Sequence, residues 1–299
     1  LAGRRELKET LKRIGRVMIP IGSAVAGKPA TSVSGFTYKD VRAPLRVCSP
    51  ESFARAESYQ PAAQDIFVAT QMKCGTTWMQ QLVFEILHRG EGNLEDSGYG
   101  HLYMVSPWVE AHDSVSIEDA PLVGDPASRI VKTHLPASLC PFSDDARYIY
   151  VARNPVSCFA STVDFLSKLM GPFCPGREAL LDWYCSDQMW WLSWAENVAG
   201  WWDKASHNSN VLFVHYETMK EDFDAVMMQV AELLGVELDE PARARIRERC
   251  SFAYMKEHEE VFEMAPPNLY SVSGGRFMAS GSAQRHQDVP PAERDRIAA

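Results

Sequence analysis

The sequence has no C-x-x-C pair among its seven cysteines, no apolar run long enough to cross a bilayer and no surplus of positive charge. Each absence closes off a class of function. The cysteines, at 48, 74, 140, 158, 174, 185 and 250, are odd in number and widely spread. They suggest neither a zinc site nor a disulfide framework, and they fit a reducing, cytoplasmic compartment. The net charge of -9 argues against a general nucleic-acid binder, which is usually basic. An anionic ligand must then be held by a local group of Lys and Arg side chains. The longest apolar candidate, Val17 to Gly27, is short, is broken by Pro20 and Gly22, and follows a basic stretch from Arg4 to Arg16. A signal peptide is not expected there, because no clear cleavage site leads into a disulfide-bearing chain. Internal repeats and low-complexity tracts are also missing.

What is present is the composition of a globular α/β protein, 299 residues with 46% apolar and 23% charged side chains. Arg4 to Met18 reads as a basic amphipathic helix, either peripheral or in contact with an anionic membrane surface. Pro20 to Pro50 reads as an extended lead-in, so the division expected is 1–50 for the helix and lead-in and 51–299 for a single main domain. Strands are expected at Asp65 to Thr70, Arg129 to Thr133, Arg147 to Val151 and Val211 to Val214. Helices are expected at Thr76 to Arg89, from about Val156 to Leu169, and at Phe223 to Leu234. Residues 90–125 read as irregular, and the Trp-rich stretch Trp183 to Trp202 as a helix packed on the sheet. Strands alternating with helices predict a central parallel sheet flanked by helices, with ligands at the carboxyl ends of the strands.

Three strand ends carry chemistry. After the first comes Gln71-Met72-Lys73-Cys74-Gly75-Thr76-Thr77, a strand-turn-helix in which a glycine and a helix N-terminus form an anion cradle and Lys73 adds a full charge. The alternative is a helix start capped by threonine beside a surface lysine. The turn differs from the nucleoside-triphosphatase loop, since Lys73 precedes the glycine and no upstream glycine exists. The second strand ends in Lys132-Thr133-His134-Leu135-Pro136, a cation beside an imidazole that is a candidate general base. The third is followed by Arg153-Asn154-Pro155, with Ser161 further into the helix. Arg suits a forked grip on phosphate; the alternative is Asn154 as a helix cap, Pro155 in the first turn and Arg153 in an ion pair.

The ordered set KCGTTW, KTHLP, YVARNP with Ser161, and FVHYETMK resembles the cytosolic sulfotransferase family, over about residues 65–285. The resemblance implies a phosphate-loop-like α/β domain that uses 3'-phosphoadenosine-5'-phosphosulfate (PAPS) and releases 3'-phosphoadenosine-5'-phosphate (PAP). Lys73, Cys74, Gly75, Thr76 and Thr77 then match the 5'-phosphosulfate loop, and Trp78, Tyr216 and Phe252 the adenine contacts. Arg153, Ser161 and Arg276 match the grip on the 3'-phosphate. His134, Lys132 and Lys73 match the catalytic groups. Cys74 stands where the family usually has Ser, and Cys250 where Thr is common. Phe277-Met278 replaces the usual Lys-Gly after Arg276, a charge for which Arg285 is the candidate substitute.

The resemblance implies an in-line attack by a hydroxyl or amine on sulfur, with no metal required and no nucleic-acid partner. The acceptor is expected to be a small molecule bounded by roughly 94–120, 165–185 and 262–275. Tyr103, Trp108, Phe142, Phe165, Phe173 and Tyr270 in and near these segments favour an apolar or aromatic one. The competing readings are a phosphate-loop kinase or triphosphatase and a non-catalytic nucleotide-binding module.

Overall fold

The computed structural model describes residues 32–95, 98–262 and 285–299. The expected N-terminal helix, Tyr270 and Arg276 lie outside these residues.

The chain enters through a hairpin of β1 (Phe36–Tyr38) and β2 (Val41–Ala43), then α1 (Pro50–Ser58). The sequence reading made this hairpin part of an extended lead-in. Its two-residue turn, Lys39-Asp40, has positive φ at both positions (44° and 67°). That is the geometry of a tight hairpin turn, built here without the Asn-Gly or Asp-Gly pair that usually announces one. The main sheet follows, with β3 (Asp65–Thr70), α2 (Thr76–Leu87), α3 (Leu102–Val105), β4 (Arg129–Thr133), β5 (Arg147–Ala152) and α4 (Pro155–Met170). Next come α5 (Arg177–Tyr184), α6 (Trp194–His207), β6 (Val211–His215), α7 (Tyr216–Glu221) and α8 (Phe223–Leu234). The chain closes with α9 (Glu240–Arg249), α10 (Phe252–Glu257) and α11 (Pro291–Ala298).

The four expected strands form a parallel sheet in the order β4-β3-β5-β6. Parallel sheets are covered on both faces, which explains why β3 and β5 read as continuous apolar runs. Successive side chains alternate between the two faces. Phe67, Ala69, Val131, Tyr148 and Tyr150 join Phe159, Leu166 and Trp201 on one side. Ile66, Val68, Ile130, Ile149 and Val151 join Met79, Leu82, Val83, Phe84 and Ile86 of α2 on the other. Each fully buried side chain of this kind contributes about 1.5–3 kcal/mol. Val33, Val41, Ala43 and Cys48 pack into the first of these cores.

The Trp-rich stretch is not one helix. Trp191 and Leu192 have positive φ (60° and 73°), so α5 and α6 are separated by an irregular segment. The chain leaves β3 toward β4 on one side, and leaves β5 toward β6 on the other. The crevice between β3 and β5 is therefore the topological switch point, where ligands of open α/β sheets sit.

Candidate active site

Thr70 ends β3, and the next five residues form a loop before α2. Buried Gln71 staples this loop down by donating Nε2 to the carbonyls of Trp190 (3.0 Å) and Leu192 (2.9 Å). Lys73 is held in the left-handed region, φ 66°, and its carbonyl accepts from Arg153 Nη1 at 2.9 Å. A lysine in that conformation costs energy that the surrounding contacts must impose. Gly75 caps α2 with φ 101°. A Cβ there would sit 2.7 Å from Tyr216 Cδ2, so both backbone conformation and close packing require glycine. No side chain caps this helix. Thr76 is turned instead onto Thr70, with their hydroxyl oxygens 2.6 Å apart. The threonine-capped alternative is thus not what the chain builds. The first N–H groups of α2 and its positive dipole end are open to an anion. Lys73 lies 4.5 Å from the Phe165 ring centroid. Burial, together with the charges of Arg153 and Lys132, lowers its pKa to about 8.

At the end of β4, Lys132 is almost fully buried. Its ammonium donates to the Tyr103 hydroxyl at 2.9 Å and sits 3.6 Å from the Trp108 ring centroid. His134 Nδ1 lies 2.8 Å from the Thr70 carbonyl, an acceptor, so Nδ1 carries the proton and Nε2 is left with the lone pair. Trp108 and Trp191 flank the imidazole, with ring centroids 5.1 and 4.9 Å away. Burial, then the charge of Lys132, holds the His134 pKa well below its usual value. The imidazole is therefore neutral, as a base must be, at neutral pH.

These shifts give a pH prediction. In donor-free protein the His134 ring resonances should not titrate between pH 8 and pH 6; a midpoint near 6.5 contradicts the assignment. Lys73 is charged below about pH 8 and loses its proton above it. If Lys73 holds the donor's dianionic phosphosulfate, binding above that pH requires proton uptake, so the donor KM should be flat below pH 8 and rise by up to about tenfold per pH unit beyond it.

Glu110 was not singled out by the sequence reading. It is fully buried under the end of β4. Its carboxylate accepts from the His134 backbone N–H at 2.7 Å and from Thr133 Oγ1 at 2.9 Å. Burial pushes its pKa up, against the pull of the His134 N–H. It sits in the stretch that reads as irregular and meets a residue 24 positions away, so no local pattern announces it. Glu110→Gln should lower kcat about tenfold, the loss of one charge-assisted bond, and leave the donor KM unchanged. Steady-state kinetics would contradict this positioning role by showing kcat intact.

Across the crevice, Asn154 caps α4 by accepting from Ser157 N–H at 3.0 Å, and Pro155 fills the first turn. The cap and the first-turn proline of the alternative reading are both present, and Arg153 lines the cavity. Its guanidinium lies 4.3 Å from the Tyr216 ring centroid. Trp78 donates Nε1 to the Cys250 carbonyl at 2.8 Å and stacks on Phe223.

One cavity of about 470 Å³ collects these groups, a size usual for small-molecule sites. Lys73, Gly75, Thr76, Thr77, Trp78, Lys132, His134, Arg153, Ser161, Tyr216 and Phe252 all line it. Cys74 does not. Its thiol points into the core, 3.8 Å from Cys158 Sγ, and burial pushes its pKa well up. Only its backbone can serve the cradle. Arg285, the candidate substitute charge, reaches the cavity and pairs with Asp164. On the acceptor side Tyr103, Trp108 and Phe165 line the cavity as expected. Phe142 instead stacks on Tyr148 in the core, and Phe173 lies on the surface. Trp190 and Trp191, read as core packing, line the cavity as well.

A family model, the sulfotransferase domain, matches residues 63–294. The chain belongs to the sulfotransferase family. It is 28% identical to rabbit sulfotransferase 1C2 over 80% of this chain and 82% of the relative. It is 30% identical to mouse sulfotransferase 2B1 over 82% of this chain and 72% of that protein. Among solved structures, retinol dehydratase in complex with androsterone and the inactive cofactor PAP superposes with a TM-score of 0.69. It is 21% identical and shares 83% of this chain and 82% of its own. A mouse sulfotransferase complexed with PAP gives 0.65, at 21% identity over 87% and 90% of the two chains. At such identities the likeness speaks for the fold, which is the family's.

Proposed function

We propose that this sulfotransferase moves the sulfuryl group of PAPS onto a hydroxyl, or an amine, of a small and largely apolar acceptor. The observation that carries the reading is the convergence of Lys73, His134 and Arg153, from three strand ends, on one cavity. The donor fits what is there. The cradle at Gly75 has no room for a Cβ, the α2 N-terminus has no side-chain cap, and Lys and Arg side chains surround both.

PAPS supplies the electrophilic sulfur and the leaving nucleotide. The α2 N–H groups, Lys73 and Thr77 hold the phosphosulfate, while Arg153 and Ser161 grip the 3'-phosphate. Arg276, on the family's pattern, belongs to that grip. Trp78, Tyr216 and Phe252 give the adenine an aromatic and apolar seat. His134 Nε2 takes the proton of the acceptor hydroxyl as the O–S bond forms. Lys132 and the cradle donors stabilise charge on the sulfuryl oxygens, and Lys73 does so on the bridging oxygen that leaves with PAP. Trp108 and Trp191 exclude water around the imidazole, which keeps hydrolysis out.

The reading places the enzyme in a reducing, cytoplasmic setting, supported by the free state of all seven cysteines. Among the described residues no helix is long and apolar enough to cross a membrane. Transfer of radiolabelled sulfate from PAPS to a panel of phenols, alcohols, sugars and lipids tests the proposal. Label in at least one acceptor supports it; binding of PAP without any transfer would favour the non-catalytic alternative.

A further inference from the structure

Tyr103 belongs to α3, a single turn of helix that is pinned on both flanks. Leu102 and Val105 are fully buried in the core that α2 covers. His101 caps the turn, its Nδ1 accepting from the Tyr103 N–H at 3.1 Å, and its ring stacks on the phenol with centroids 5.5 Å apart. One turn of helix is not stable by itself, so these contacts set where the tyrosine stands. Tyr103 is half-buried and lines the cavity, as does Lys132.

The direction of the Tyr103–Lys132 bond decides what the phenol can do. An ammonium only donates, so at 2.9 Å the Tyr103 oxygen is the acceptor, and this bond leaves the phenolic O–H unused. Among the described residues no acceptor takes that O–H. A hydroxyl that accepts from a cation is polarised into a better donor. The ammonium also lies over the Trp108 ring, 3.6 Å from its centroid, and the same indole packs against His134. Lys132 N–H and Tyr103 O–H are therefore two donors one hydrogen-bond length apart, in an aromatic corner next to the base. Donors fixed in such surroundings act on developing charge more strongly than they would in water.

We infer that Tyr103 is a catalytic residue of the transfer, whose O–H donates to a sulfuryl oxygen as charge builds there, side by side with Lys132. The phenol keeps its own proton throughout, and the acceptor proton still goes to His134. This rests on the sulfotransferase reading, in which Lys132 meets the sulfuryl group. It gives a task in the chemistry to a side chain expected only to bound the acceptor.

Tyr103→Phe keeps the ring and removes the hydroxyl. Transfer of ³⁵S from PAPS is followed by steady-state kinetics, with the phenol, alcohol, sugar or lipid that takes label fastest from the wild-type enzyme. Calorimetry with PAP checks that each variant is folded. Loss of one hydrogen bond to developing charge should lower kcat by about 10- to 100-fold. PAP has no sulfuryl group, so its affinity should stay within about twofold, and so should the acceptor KM. Lys132→Met separates direct from indirect action. If Tyr103 touches the sulfuryl group, adding Tyr103→Phe to Lys132→Met slows transfer by a further factor of about five or more. A double variant no slower than Lys132→Met shows that Tyr103 merely holds the ammonium, and overturns the inference. So does a Tyr103→Phe enzyme whose kcat is within about threefold of wild type, or whose loss lies in the acceptor KM alone. Wild-type protein that labels no acceptor overturns the sulfotransferase reading instead.

Discussion

His134→Ala is expected to lower kcat for sulfuryl transfer by about 10²- to 10⁴-fold, the usual contribution of a positioned general base, while PAP affinity stays at the wild-type value. The size of the effect follows from how the imidazole is held. Its Nδ1–H is committed to the Thr70 carbonyl at 2.8 Å, so the ring presents one tautomer, with Nε2 as the acceptor. Burial and the neighbouring Lys132 keep it unprotonated. Trp108 and Trp191 pack against the ring, with centroids 5.1 and 4.9 Å away. Alanine removes the base and opens a gap beside two indoles, yet touches neither the Gly75 cradle nor Arg153. Retention of more than a tenth of the wild-type kcat would show that another group takes the proton. Tyr103, bonded to Lys132, would be the first place to look.

The second large effect is expected from Arg153→Ala, which should weaken PAP binding by about 10²- to 10⁴-fold. Two charge-assisted hydrogen bonds to a phosphate contribute about 3–6 kcal/mol together. The same guanidinium donates to the Lys73 carbonyl at 2.9 Å and so helps to impose the left-handed conformation that aims the loop. The comparison with adenosine 5'-phosphate separates these roles. If Arg153 grips the 3'-phosphate, the variant loses PAP affinity and keeps most of its weaker affinity for the monophosphate. If Arg153 only braces the loop, both nucleotides lose affinity alike, and the assignment fails. Arg153→Lys should recover a fraction of the loss, since a point charge cannot reproduce the fork.

The parts of this site that could be read in advance share a physical cause. Apolar runs ending in Lys, Arg, Gly or His marked the sheet and its carboxyl edge, because a parallel strand is buried on both faces and only its end meets solvent or ligand. The helix after Gly75 was equally visible, with its apolar periodicity running at once from the turn. What could not be read depends on where a side chain points or on contacts far apart in sequence. Glu110 is a carboxylate in an irregular stretch, and its meaning lies in a bond to the backbone N–H of His134, just past the end of β4. Cys74 matches the phosphosulfate loop by position, but the loop turns its thiol into the core against Cys158. Trp190 and Trp191 are core packing, as read, yet both also line the cavity, which a run of tryptophans does not announce. Positive φ at Trp191 and Leu192 breaks the expected helix there. The β1–β2 hairpin was hidden by its turn, since Lys39-Asp40 adopts a geometry that asparagine and glycine normally signal.

The most direct test of the account is a transfer assay with [³⁵S]PAPS, run with the panel of phenols, alcohols, sugars and lipids and with excess chelator, alongside [γ-³²P]ATP as a competing donor. The account predicts that ³⁵S enters an acceptor with one PAP released per sulfate transferred, and that ³²P does not. Transfer of the γ-phosphate of ATP in place of the sulfate would contradict it, and so would PAPS that is left untouched by a folded protein.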